Sequence, residues 1–194
     1  KTKNILLERK ANWIEEKSWR SIEKPKCRVL NGDGVLMSIN FSPDNLLVAT
    51  GNNKGEIHLF DTQTGRPLGV LMGHNKNIED LVFSKNGWLA SAGWDHKILI
   101  WDVKEKIVIR SLEKHSEIVR AVDISPNGNY LASGSGDKTV QIWSTKDWQL
   151  SSILQEHTEP IHTVKFSPSG DFLASAGYDH VIHIWDVRQN KLHH

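Results

Sequence analysis

Ser133–Ser144, SGSGDKTVQIWS, decides how this chain is read, because its pattern returns twice at a constant interval. Ser91-Ala-Gly-Trp-Asp95 leads to Ile100-Trp-Asp102, and Ser175-Ala-Gly-Tyr-Asp179 leads to Ile184-Trp-Asp186, so Trp101, Trp143 and Trp185 stand 42 residues apart. A period of that length marks an array of one supersecondary unit. The unit also carries a histidine upstream, at His74, His115 and His157, and a turn at Phe83-Ser84-Lys85, Ile124-Ser125-Pro126 and Phe166-Ser167-Pro168.

Working outward, each unit resolves into short apolar runs separated by turn residues, the pattern of successive strands. Four copies are expected, over about 35–72, 78–112, 118–154 and 161–194, and the last shows only three clear strands, its outer strand missing or only begun. Residues 26–30 form a spare strand ahead of the first copy, within a repeat segment of 26–194. Residues 1–25 stand apart as a lead-in: Leu7, Ala11, Ile14, Ser18 and Ile22 recur at helical spacing, and Pro25 ends the predicted helix.

This order of anchors resembles the WD-repeat family: a histidine, an apolar strand, a Ser-Pro-x-Gly turn, Leu-Ala-Ser, an Asp-containing turn and a strand ending Trp-Asp. The resemblance covers about Cys27 to the C-terminus in three good copies and a degenerate first one. It implies an all-β fold of four-stranded antiparallel propeller blades, part of a seven- or eight-blade ring, with the short N-terminal helix outside it. In such rings a spare outer strand completes the last blade and removes open edges.

Composition narrows the function classes. With 24 basic and 23 acidic residues among 194 the formal net charge is +1, and no basic block offers a phosphate-binding patch, which argues against nucleic acid. Cys27 stands alone, so no intrachain disulfide or thiolate zinc site is available, and a reducing compartment is expected. No apolar run reaches the roughly 20 residues of a membrane span. The chain therefore reads as cytoplasmic or nuclear, and its start at Lys1 reads as an excerpt or processed product.

The sets His115, Ser133, Asp137 and their equivalents invite a hydrolase reading, since these are the members of a nucleophilic triad. Repetition argues against it. His74, Ser91, Asp95 with Trp101, His115, Ser133, Asp137 with Trp143, and His157, Ser175, Asp179 with Trp185 are one set three times over. The resemblance implies that they form buried relays, tryptophan to hydroxyl to imidazole to carboxylate. The first copy has Gly32, Thr50, Lys54 and Phe60 at these positions, so its relay is absent and it should hold together by Ile39, Phe41, Leu47, Ala49, Ile57 and Leu59 alone, as the softest blade. His180 and His183, with His193 and His194 nearby, raise a metal site, but strand alternation separates the first two and no third ligand is evident, so neither metal nor cofactor is expected.

What remains is a surface. The resemblance places the residue before each turn aspartate, and those three and five places after each histidine, around the central opening. These are Asn77, Glu79 and Trp94; Ile118, Arg120 and Gly136; and Pro160, His162 and Tyr178. Exposed aromatics with an arginine are typical of interaction hot spots. The expectation is a non-enzymatic scaffold or recognition module that binds a protein or peptide on this rim, its ring completed by further repeats or a second copy. The alternative is a regulatory propeller of a larger effector, such as a nucleotide-binding switch or a protease, with the helix as connector.

Overall fold

The computed structural model describes residue 30, residues 32–189 and residues 191–193. The expected helix over 1–25 and the spare strand over 26–30, Leu30 excepted, lie outside them, as do Trp13, Trp19, Cys27 and His194. Sixteen strands make four antiparallel sheets, each with its strands in chain order. Blade 1 holds β1 (Leu36–Phe41), β2 (Leu47–Asn52), β3 (Glu56–Asp61) and β4 (Pro67–Met72). Blade 2 holds β5 (Ile78–Phe83), β6 (Trp88–Gly93), β7 (Ile98–Asp102) and β8 (Ile107–Leu112). Blade 3 holds β9 (Val119–Ile124), β10 (Tyr130–Ser135), β11 (Val140–Ser144) and β12 (Leu150–Leu154). Blade 4 holds β13 (Ile161–Phe166), β14 (Phe172–Gly177), β15 (Ile182–Asp186) and the two-residue β16 (Lys191–Leu192). Its outer strand is thus only begun. Among the described residues no helix is long and apolar enough to cross a membrane.

The core lies between blades. The middle strands β6, β7, β10 and β11 read as nearly continuous buried runs, because both of their faces meet a neighbouring sheet. Ala49, Ile57, Leu59 and Leu71 of blade 1 meet Ile78, Leu81 and Trp101 of blade 2. The same layer recurs between blades 2 and 3, where Ala92, Ile98 and Ile100 face Val119 and Val122, and between blades 3 and 4, where Val140 and Ile142 face Ile161 and Val164. The inner strands β1, β5, β9 and β13 lie side by side in that order. Each is pinned to the next by a side chain that accepts a backbone N–H: Asn40 from Phe83 (3.1 Å), Asp80 from Val122 (3.0 Å) and Asp123 from Phe166 (2.7 Å). Burial pushes the Asp80 carboxyl above its ordinary range, against the pull of the hydrogen bonds it accepts from Val122 and Leu81.

The two outer faces of the array break this pattern. Ile39 holds the strand position of buried Leu81, Val122 and Val164, yet is 64% exposed, and Phe41 is 58% exposed. This corrects the expectation that both residues pack the first blade: they point where a preceding blade would sit. At the far end Ile182, equivalent to fully buried Ile98 and Val140, is 67% exposed. Ala49, Ile57 and Leu59 are buried as expected. Blade 1 also turns tightly at Gly55 (φ 83°), where a Cβ would stand 2.5 Å from the His74 carbonyl oxygen.

Candidate functional site

Three relays form as the resemblance implies. Trp101 Nε1–H donates to Ser91 Oγ at 2.8 Å, and the Ser91 hydroxyl reaches His74 Nε2 at 2.7 Å. Nδ1–H of His74 donates to Asp95 at 2.9 Å. In blade 3 the distances are 3.0 Å for Trp143 to Ser133, 2.8 Å for Ser133 to His115 and 2.7 Å for His115 to Asp137. Blade 4 repeats them at 2.8, 2.8 and 2.7 Å through Trp185, Ser175, His157 and Asp179. An indole that can only donate and a carboxylate that can only accept fix every direction between them: the hydroxyl donates to Nε2 and the imidazole donates from Nδ1.

Each aspartate also ties the relay to the loop ahead of its blade. Asp95 accepts the Asn75 N–H (3.3 Å), Asp137 that of Ser116 (3.1 Å) and Asp179 that of Thr158 (3.1 Å). Burial pushes these carboxyls up, but the imidazole hydrogen bond and the neighbouring N–H donors outweigh it. Asp95 is lowered, and Asp137 and Asp179 are held at about 2. The seryl oxygens are sealed: Ser91, Ser133 and Ser175 are essentially inaccessible, with both neighbours already bonded. These hydroxyls meet no substrate-sized space.

Blade 1 replaces the relay with something the sequence reading missed. Thr50 Oγ1 is buried without a partner among the described residues, and Lys54 pairs with Asp33 at the surface (2.8 Å). Instead Asn52 donates to the Asp33 carbonyl (2.8 Å) and to Glu56 Oε2 (2.8 Å), while its own oxygen accepts the N–H groups of Lys54 and Glu56. His58 closes this set against Glu56 at 3.2 Å. The signal available was Glu56 and His58 at alternate positions of β3, with Asn52 at the end of β2.

His183 does find further ligand groups: its ring, the His157 ring and the Asp179 carboxylate bring ligand atoms within 4.8 Å of one another. The relay supplies both partners, so Nδ1 and Nε2 of His157 are already spent on Asp179 and Ser175. A cation there would have to break the relay.

The rim residues are brought together by the backbone. In each blade the inner strand carries one extra residue relative to β2, β6, β10 or β14: Met37, Glu79, Arg120 and His162 each fall between paired neighbours. Such a bulge re-aims the side chain of the extra residue and bends the strand. The turn residues close over them, since Trp94 N–H donates to Asn77 O, Gly136 N–H to Ile118 O and Tyr178 N–H to Pro160 O, at 2.8 to 2.9 Å. Trp94 is 37% and Tyr178 52% exposed. Indole Nε1–H of Trp94 donates to Glu79. Arg120 places its guanidinium 5.8 Å from the Tyr178 ring centre, and His162 meets the same ring edge-on at 5.2 Å. Nε of Arg120 is buried without a hydrogen-bond acceptor among the described residues. The array thus lines up Glu79, Arg120 and His162 on adjacent inner strands with two aromatic rings beside them. Blade 1 adds Met37, exposed at the same bulge, which the reading of the sequence left out.

Residues 24–61, 65–102, 106–144 and 148–186 match the WD domain, G-beta repeat family. Matched over most of its length and built of the four blades described, the chain belongs to that family of propeller proteins. Each matched unit is offset from a blade: residues 65–102 comprise β4 of blade 1 and β5 to β7 of blade 2. Over 92 residues the chain is 37% identical to WD repeat and SOCS box-containing protein 1 of Takifugu rubripes, covering 46% of this chain and 22% of that protein. Protein MAK11 of Saccharomyces cerevisiae is 35% identical over 95 residues, covering 41% and 23%. E3 ubiquitin-protein ligase COP1 of Arabidopsis thaliana is 32% identical over 84 residues, covering 43% and 12%. The matches span less than a quarter of the length of each of these relatives.

Proposed function

We propose that the chain is a non-catalytic recognition module that binds a segment of another protein across the rim formed by Glu79, Trp94, Arg120, His162 and Tyr178, with Asn77, Ile118, Gly136 and Pro160 as the backbone that shapes it. The observation that carries this reading is Arg120: a guanidinium beside an exposed tyrosine, with a buried Nε–H that lacks an acceptor among the described residues. A carbonyl or carboxylate of a bound segment would satisfy that donor, and the two aromatics would cover the flanking residues. Catalysis is left out because the triad-like sets among the described residues are sealed relays in triplicate, and no cofactor enters the reading. With its lone cysteine the module suits a reducing compartment, the cytoplasm or the nucleus.

The exposed faces of blades 1 and 4 extend this reading. Leu36, Ile39 and Phe41 on one side, and Ile182 on the other, belong to the two halves of the interface that is buried three times between the blades. Further blades to a total of seven or eight, or a second copy of the chain, would cover them. That the matched relatives run far beyond the matched region favours the reading in which the propeller is the recognition part of a larger protein. Capture of binding proteins from a native lysate by the chain and by its Trp94→Ala and Arg120→Ala variants tests the rim. Losses typical of hot spots, about 2 kcal/mol or more, are expected with melting unchanged; equal recovery of every bound protein would move the surface elsewhere.

A further inference from the structure

The groove between blades 1 and 2, at the end of the strands opposite the rim, has no role in the reading above. It opens between the β1–β2 turn, the β5–β6 turn and the β7–β8 turn, and its volume is about 450 Å³, within the range of sites that hold small ligands. Leu59, Phe83 and Val103 form a nearly buried floor, and Leu47 and Leu68 form the walls. Leu68 faces it because β4 carries one extra residue there: Leu59 pairs with Gly69 and Phe60 with Pro67, leaving Leu68 between them.

The molecule shows what such a groove holds. One interface further on, Trp148 from the turn before β12 packs edge-on against Trp88 at the start of β6, ring centres 5.1 Å apart, and both join the core between blades 2 and 3. In the repeat alignment Leu47 stands at the position of Trp88, and Lys106 at the position of Trp148. The first groove is therefore the same space without its indole pair. Between blades 3 and 4 the equivalent space is lined by polar groups instead, among them Asn127, Asn129, Ser151 and Asp171.

Charge narrows the occupant further. Lys85, Lys104 and Lys106 border the groove against one acid, Asp44, whose carboxylate accepts the Ser42 hydroxyl and the Leu46 N–H. None of the three lysines has a carboxylate partner among the described residues: Lys85 and Lys106 reach only the carbonyls of Pro126 (2.9 Å) and Leu68 (2.7 Å). Elsewhere on the propeller Lys54, Lys97, Lys138 and Lys165 are ion-paired, whereas Lys76, Lys114 and Lys146 show no ion pair among the described residues; what sets the groove apart is that three such lysines border one apolar space. Glu105 lies between two of these lysines in sequence but does not line the groove.

We infer that this groove is a second docking site, for a partner segment that presents a bulky aromatic side chain flanked by carboxylates. The ring takes the place filled by Trp148 one blade on, and the flanking acids pair with Lys85, Lys104 and Lys106. The site stands independently of the rim.

The test uses the whole chain and a fluorescein-labelled peptide, Asp-Asp-Trp-Asp-Asp, followed by anisotropy. Saturable binding with a Kd below about 1 mM is expected, weakening as salt rises. Replacing the peptide tryptophan by alanine should cost about tenfold or more, and replacing its acids by lysines should abolish binding. Lys106→Trp should plug the groove and also cost about tenfold. The substitution suits the backbone, since Trp148 holds the same turn position at φ 60° against 58° for Lys106. A melt checks its fold, and the exposed double change Lys104→Glu with Lys106→Glu gives the same test through charge alone. Trp94→Ala on the rim should leave the affinity unchanged. Absence of saturation to 1 mM, unchanged affinity in both groove variants, or loss on Trp94→Ala in place of the groove variants would each overturn the inference.

Discussion

Asp137→Ala probes whether the relay is a structural device. The carboxylate, 8% exposed, accepts the His115 Nδ1–H at 2.7 Å, the Ser116 N–H at 3.1 Å, and the Thr139 N–H and hydroxyl at 3.0 and 2.7 Å. Truncation leaves these donors facing an apolar methyl. A buried donor deprived of its partner costs about 1–3 kcal/mol, and here solvent can reach some of the four. The second route is protonation: a carboxyl held at about 2 in place of 3.8 is worth about 2 kcal/mol near neutral pH, in the same range. A loss of about 2–3 kcal/mol is thus expected, read as a fall in the urea midpoint at unchanged slope. The control is Lys54→Ala at the matching position of blade 1, where the ion pair with Asp33 is solvent-exposed and contributes little. Equal sensitivity at the two positions, or an Asp137→Ala midpoint within error of wild type, would refute the account of the relay.

The same carboxyls give a pH dependence of known sign. Their folded pKa values lie below the unfolded one, so the relay contribution is present above about pH 4 and is lost as pH falls toward 2; the gap between wild type and Asp137→Ala should close over that interval in acid titrations of stability. Asp80, raised by burial, runs the other way: its contribution is present at low pH and is lost as pH rises, so Asp80→Asn should cost less at pH 7 than at pH 4. At the open face, Ile182→Glu should change the melting of the chain little, whereas Ile98→Glu, its buried equivalent, should unfold it; similar effects would mean that blade 4 is covered in solution. Light scattering on the isolated chain should show association through these faces, and a stable monomer of 22.0 kDa that melts cooperatively would rule out the need for cover.

The repeat made much of the fold legible. Constant spacing of His, Ser, Asp and Trp gives the number of repeats, and the family resemblance adds the blade and its relay, because each depends on residues within one 42-residue unit. What depends on a neighbouring blade was hidden. Ile39 and Phe41 have the alternation of core residues, and only the absence of a described sheet beside β1 exposes them. The bulges that aim Glu79, Arg120 and His162 leave no mark in composition, so the rim was legible only through family resemblance. The network of Asn52, Glu56 and His58 escaped because it follows no repeat. The first groove was hidden for a related reason: Leu47 and Lys106 lie in different units, and their shared space appears only when two blades are set side by side.

The pins between inner strands also set how the array yields under load. Blade 1 is held to blade 2 at this level by the neutral amide of Asn40, whereas the later junctions use carboxylates, and the last adds the Lys165–Asp123 pair at 2.9 Å. Charge-assisted bonds are roughly twice as strong as neutral ones. Tension applied between the two ends of the blade array would therefore peel blade 1 away first, as the weak link with the longest pin and no relay inside it. The remaining three blades would stay joined until a higher force. The weakest junction thus lies at one end of the array, and under tension from either side blade 1 is the first to leave.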